Sequence, residues 1–203
     1  MWRRDFRIVG VALVSLLVFV GAAAPPSVVE QWNASASIQA EFEKLLIVGI
    51  TDDGEARRRF EDKFVSHLRG RNIEAVTSYS IVPDLQTIDD RQRVIDSVMR
   101  QEIDGVLTLR IVPLDEPDET AWSNAWTEAQ QAEGTVRELI EETLPIEATD
   151  AKRFGVEVAL WGTLERSRIW AGRSAGHKRK QLKKGAGEFV QQVIDALKDA
   201  RRL

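Results

Sequence analysis

The chain has no cysteine, which excludes disulfides, thiolate metal sites, a cysteine nucleophile and a lipid-bearing cysteine at the end of a leader. Its stability must come from a packed core. Histidine is almost as scarce: His67 and His177 are the only two in 203 residues. They form no His-x-x-x-His pair, and spacing joins neither to a serine and an aspartate. Metal and triad chemistry therefore have no local signature, and no cofactor is expected. Positive charge is not in excess either. The 28 Lys+Arg face 32 Asp+Glu, and without residues 1–36 the balance is 25 to 30. Such a balance gives no support for nucleic-acid binding.

What is present begins with a leader. Arg3, Arg4 and Arg7 precede an uncharged apolar run, Ile8 to Ala24, that closes on Gly21, Ala22, Ala23 and Ala24. A basic region, an apolar core and small residues are the three parts of a secretory signal. The arginines hold the N-terminus in the cytoplasm and put the rest across the membrane. Ala22 and Ala23 suit signal peptidase, Pro25 disfavours a cut after Ala24, and Ala34-Ser35-Ala36 is a later option. The run of 17 residues is also just long enough to span a bilayer, which takes about 17 to 25. Cleavage and retention as an anchor both stand. Arg3-Arg4-Asp5-Phe6 partly matches a twin-arginine signal, but Arg7 and the apolar core favour the general secretion route. Residues 25–43 read as a linker, and residues 44–203 as one domain with an insertion at about 114–152.

Within the domain, strand and helix patterns alternate. Leu45 to Ile50 is a continuous apolar run, as in a strand buried on both faces. Asp52 and Glu55 suit a helix start, and Ala56, Phe60, Phe64 and Leu68 recur every fourth residue until Gly70. A second strand is expected over Ile73 to Ile81. Thr87 or Asp89 caps a second helix with the stripe Val94, Ile95, Val98 and Met99, and a third strand runs from Val106 to Val112. Two successive βαβ units imply parallel strands in the spatial order 2-1-3. Residues 115–150 hold eleven acids and one base, Arg137, and read as an acidic helical insertion. Phe154, Val156, Val158 and Leu160 alternate, and a turn near Glu165 leads to a return strand at Ile169-Trp170. A final helix carries Phe189, Val190, Val193, Ile194 and Leu197. The fold class is α/β: a mixed sheet from βαβαβ plus a C-terminal β-hairpin and final helix.

The run Lys44 to Ile50, the Arg-rich helix Glu55 to Arg71, the strand Glu74-Ala75-Val76-Thr77-Ser78-Tyr79 and the hairpin Val156 to Gly172 with Trp170 resemble small, uncharacterised α/β lipoproteins of Gram-negative envelopes. This resemblance implies a periplasm-facing protein without a known catalytic centre. The chain departs from that pattern in lacking the lipidated cysteine.

Three groups of residues are candidates for function. Asp52 and Asp53 follow the first parallel strand, where ligands bind in open α/β sheets. A phospho-receiver domain would need a further aspartate on the third strand, but Arg110 stands there and would neutralise the acids. Helix capping is the plainer role for the two aspartates. Arg173, His177, Lys178, Arg179, Lys180, Lys183 and Lys184 fall within twelve residues that contain no acid. They form either a solvated loop balanced by the acidic insertion or a surface for an anion or partner. Gly172 to Lys178 lacks the spacing of a phosphate-binding loop. Trp122 and Trp126 either pack on the sheet or form a partner surface, while Trp161 and Trp170 are expected to face the hairpin or core.

The expected function is that of a non-enzymatic envelope protein, secreted into the periplasm or tethered to the inner membrane by residues 8–24. Its partner would be an envelope protein, a glycan or an anionic membrane surface. The alternatives are a periplasmic small-ligand or anion-binding module and a hydrolase with a carboxylate site assembled from distant residues.

Overall fold

The computed structural model describes residues 28–33, 42–51, 53–83, 85, 88–114, 152–164 and 167–203. In chain order these form β1 (Val28–Asn33), β2 (Lys44–Ile50), α1 (Gly54–Arg69), β3 (Glu74–Thr77), a 3-10 turn (Ser78–Ser80), α2 (Ile88–Arg100), β4 (Gly105–Leu114), β5 (Arg153–Gly162), β6 (Ser167–Ser174) and α3 (Arg179–Asp199). The six strands lie in the order β1-β6-β5-β4-β2-β3. β3, β2 and β4 are parallel in the expected 2-1-3 arrangement, and the remaining pairs are antiparallel. β1 comes from the stretch read as a linker and adds an edge strand beside the hairpin.

The sheet separates two apolar layers. Alternation along β2 sends Leu45 and Ile47 to one face and Leu46, Val48 and Ile50 to the other. On the first face, α1 contributes Phe60, Phe64 and Leu68 and α3 contributes Phe189, Val193 and Leu197, packed with Val156, Val158 and Trp170. On the second, α2 supplies Val94, Ile95 and Val98 against Val48, Val106 and Trp161. Trp161 and Trp170 are both buried but belong to different layers, so each packs with its own core.

Two expectations need correction. Met99 is 79% exposed. The buried stripe of α2 is centred between Val94 and Val98 and includes Asp90 and Ser97, which leaves Met99 roughly 120° from its middle at 3.6 residues per turn. The second strand is shorter than Ile73 to Ile81. It stops at Thr77 because Ser78 Oγ and Tyr79 N turn inward to donate to Glu61, at 2.7 and 3.1 Å.

The helix stops share one device. Gly70 at the end of α1 has right-handed φ (−65°), and the left-handed residue is Asn72, φ 62°. Glu102 and Arg201, both at φ 54°, play the same part after α2 and α3, each directly preceding the residue whose N–H closes the stop. Each stop is closed by a backbone bond spanning five residues: Ile73 N to Leu68 O, Ile103 N to Val98 O and Arg202 N to Leu197 O.

Candidate functional site

The parallel strands finish at what we term the upper end of the sheet, where ligands of open α/β sheets commonly bind. Asp53 caps α1 there, its Oδ1 accepting from Ala56 N at 3.0 Å. Its Oδ2 lies 3.0 Å from Lys183 Nζ on α3, which ties the two helices of the first layer together. Burial alone would raise the Asp53 pKa, but the Ala56 bond and the Lys183 ammonium outweigh it and hold the carboxyl below its ordinary range. Asp52 lies outside the described residues.

Arg110 sits midway along β4, opposite Ile50 at the end of β2, and on the other face of the sheet. Its Nε donates to Glu157 Oε2 of β5 at 2.8 Å, and its Nη2 joins the same oxygen. Arg110 and Asp53 are therefore committed to different partners on different faces. The structure does not bring them together. Backbone register extends the charged row across the sheet: Arg110 lies opposite Glu157, Glu157 opposite Arg173, and Arg173 opposite Glu30. One layer further along, the Arg168 guanidinium lies 5.6 Å from the centroid of the Trp161 ring.

The basic segment is at the upper end as well. His177 exchanges both backbone bonds with Phe154, at 2.7 and 2.8 Å, pinning the segment to the start of β5. Burial, with a smaller contribution from the Arg153 charge, lowers the His177 pKa. Lys178 caps α3, its backbone N–H donating to Gln181 Oε1 at 2.8 Å. Lys178, Lys180 and Lys184 are exposed, Lys183 is half-buried against Asp53, and Arg173 is buried. The Arg179 side chain, Trp122 and Trp126 lie outside the described residues.

The most fully bonded charged group was not singled out by sequence reasoning. Glu61 on α1 is completely buried and accepts from Gly49 N (2.9 Å), Arg57 Nε (3.0 Å), Ser78 Oγ and Tyr79 N. Arg57 also donates to Ser78 Oγ, Val82 O and Pro83 O. Beyond the last β2–β3 partners, Ile47 and Thr77, the carboxylate stands in for the missing strand. Gly49 permits this close seating, because a Cβ there would come within 3.0 Å of Arg57 Cγ. The available signal was an i,i+4 Arg–Glu pair beside the apolar stripe.

At the lower end, a cavity of about 700 Å³ is lined by Phe42, Ile73 and Leu203 together with Glu43, Arg71, Asn72, Lys198 and Arg201. Among the described residues, no group of three or more histidines and acids is placed to hold a metal ion, and no helix is long and apolar enough to cross a membrane.

No family model and no curated protein matches the chain. Among solved structures it is similar to a PelC dodecamer from Paraburkholderia phytofirmans and to a single-substitution variant of that dodecamer. Both are 12% identical to it and cover 83% of this chain. The matches span 94% and 98% of those chains, with TM-scores of 0.43 and 0.42 respectively. A likeness at this level leaves the function of this chain open.

Proposed function

We propose that this chain is a non-enzymatic envelope protein, exported by its leader and held at or near the inner membrane, whose α/β domain binds another envelope component. The observation that carries this reading is the commitment of the candidate reactive groups to structural bonds. Asp53 caps α1 and pairs with Lys183, Arg110 pairs with Glu157, and Glu61 and Arg57 bond to each other and to neighbouring groups of β2 and the 3-10 turn. The three-part leader and the resemblance to envelope α/β lipoproteins support export. The test is purification from membranes with the native leader, followed by mass analysis of whatever co-purifies. Membrane-associated recovery with a stoichiometric partner is the expected result, and soluble, partner-free protein overturns the reading.

A second reading is favoured by one specific observation. The lower cavity places the cations Lys198 and Arg201 beside apolar Phe42, Ile73 and Leu203, with Glu43 and the Asp195-paired Arg71 also in its lining, an arrangement suited to a small amphipathic anion. Under this reading, a medium-chain carboxylate binds the purified protein, and Lys198→Glu combined with Arg201→Glu abolishes that binding by calorimetry.

A further inference from the structure

We infer that the upper, basic end of the domain rests on an anionic bilayer surface, with the lower end turned away from it. This orientation requires the retained leader of the tethered form proposed above.

The placement follows from register and reach. Val28 pairs with Ser174, so the chain enters the domain at the upper end, four residues in sequence from Lys178 on the strand partner. Only residues 25–27 separate Val28 from Ala24, the last residue of the apolar run. The four Cα steps from Ala24 to Val28 reach at most about 14 Å, of the same order as the screening length of about 8–10 Å at ordinary salt. A membrane-spanning leader therefore holds the upper end within the electrostatic range of the headgroups.

Among the described residues, the exposed charges around the start of α3 and β5 at that end are cationic, while Glu55 and Asp89 are exposed at the starts of α1 and α2. Lys178, Lys180 and Lys184 are exposed, as is Arg153 at the start of β5, while Lys183 is partly neutralised by Asp53. Each lysine near an anionic surface strengthens association by about fivefold. The opposite end carries the three helix stops, the cavity with its cations Arg71, Lys198 and Arg201, the exposed acids Glu102 and Asp199, and the exposed side chains Met99 and Leu164 (79% and 84%), so the chain's point of entry, not cationic charge alone, distinguishes the two ends. Leu114 lies opposite Arg153 at the upper end, and the acid-rich sequence 115–150 falls between them in the chain, so its charge is the alternative counter-charge that the test must distinguish.

The cysteine-free chain allows a direct test. Full-length protein carrying a fluorophore on Lys184→Cys, Met99→Cys or Leu164→Cys is reconstituted into vesicles containing headgroup-nitroxide lipid, with either mixed phosphatidylglycerol and phosphatidylcholine or phosphatidylcholine alone. The expected result is quenching at position 184 several-fold greater than at 99 or 164 in the anionic vesicles. That difference should collapse in about 1 M salt, where the screening length is about 3 Å, and on adding Lys178→Glu and Lys180→Glu. Equal quenching at both ends, or quenching at 184 that ignores lipid charge, overturns the orientation; the latter is the outcome if residues 115–150 neutralise the lysines. The tether is scored separately. An intact N-terminal mass with resistance to alkaline extraction upholds it, so that equal quenching then sinks the orientation alone. A chain shortened at Ala22 or Ala23 that washes off removes both.

Discussion

Arg57 and Glu61 meet within one helix with side chains 4% and 0% exposed, whereas Arg110 and Glu157 meet across two strands with 35% and 15% exposed. The formal charges are identical and the duties differ. Glu61 also satisfies two backbone N–H groups of other elements, so it fixes α1, β2 and the 3-10 turn to one another. Glu157 pairs with a neighbour on a sheet face that remains partly open, where water shares the cost of each charge. A charged residue is therefore a poor functional candidate when all its bonds are internal, and a better one when it lies on an open row.

The largest expected effect breaks the closed pair. Glu61→Ala leaves Arg57 buried without its carboxylate and should cost about 3–5 kcal/mol in urea unfolding. Replacing both residues, Arg57→Met with Glu61→Met, restores only part of this, because Gly49 N and Tyr79 N then lack an acceptor. Full recovery in the double variant would falsify the strand-replacement role of Glu61.

Beside the open row, packing should outweigh charge. Gly172 directly precedes Arg173, and a Cβ on it would come within 2.9 Å of Trp170 Cζ2. Gly172→Ala should therefore cost about 1–3 kcal/mol by overpacking. Arg110→Ala should cost about 1 kcal/mol or less, because Glu157 keeps access to water and lies opposite Arg173. An Arg110→Ala effect as large as that of Glu61→Ala would erase the distinction between the two pairs.

The smallest effects are those of pH at the upper end. His177 has its folded pKa lowered, so the unfolded chain takes up its proton first. The associated stability is complete above the ordinary value of 6.5 and is lost as pH falls through the folded value. Asp53 is also lowered, and its contribution, complete above the ordinary 3.8, is lost on further acidification. Melting temperature against pH should show two acid limbs. His177→Asn should flatten the first limb and Asp53→Asn only the second, and a first limb unchanged by His177→Asn would assign it elsewhere.

Much of the architecture was legible in local pattern. The unbroken apolar run of β2, the fourth-residue stripe of α1 and the alternation of β5 each encode burial without reference to any partner. The misses share a cause. β3 ends early because a carboxylate on α1 captures Ser78 and Tyr79, and Met99 is exposed because the sheet accepts a narrower stripe than periodicity outlines. The end of α1 near Gly70 was legible, since Gly70 is its C-cap, but the left-handed residue that closes the stop, Asn72, carried no such signal. The candidate pair Asp53 and Arg110 was adjacent in strand logic yet falls on opposite faces, where each finds a closer opposite charge.

By itself the sequence determined the basic-then-apolar pattern of residues 1–24, the absence of cysteine, the α/β class and the order of the elements from β2 to α3, because apolar period, residue type and chain direction are local properties. Only the tertiary structure decided which charges are locked and which stay open, and that the basic segment shares an end with the start of β1. Those facts depend on strand register and on contacts between residues far apart in sequence, for which no local pattern exists.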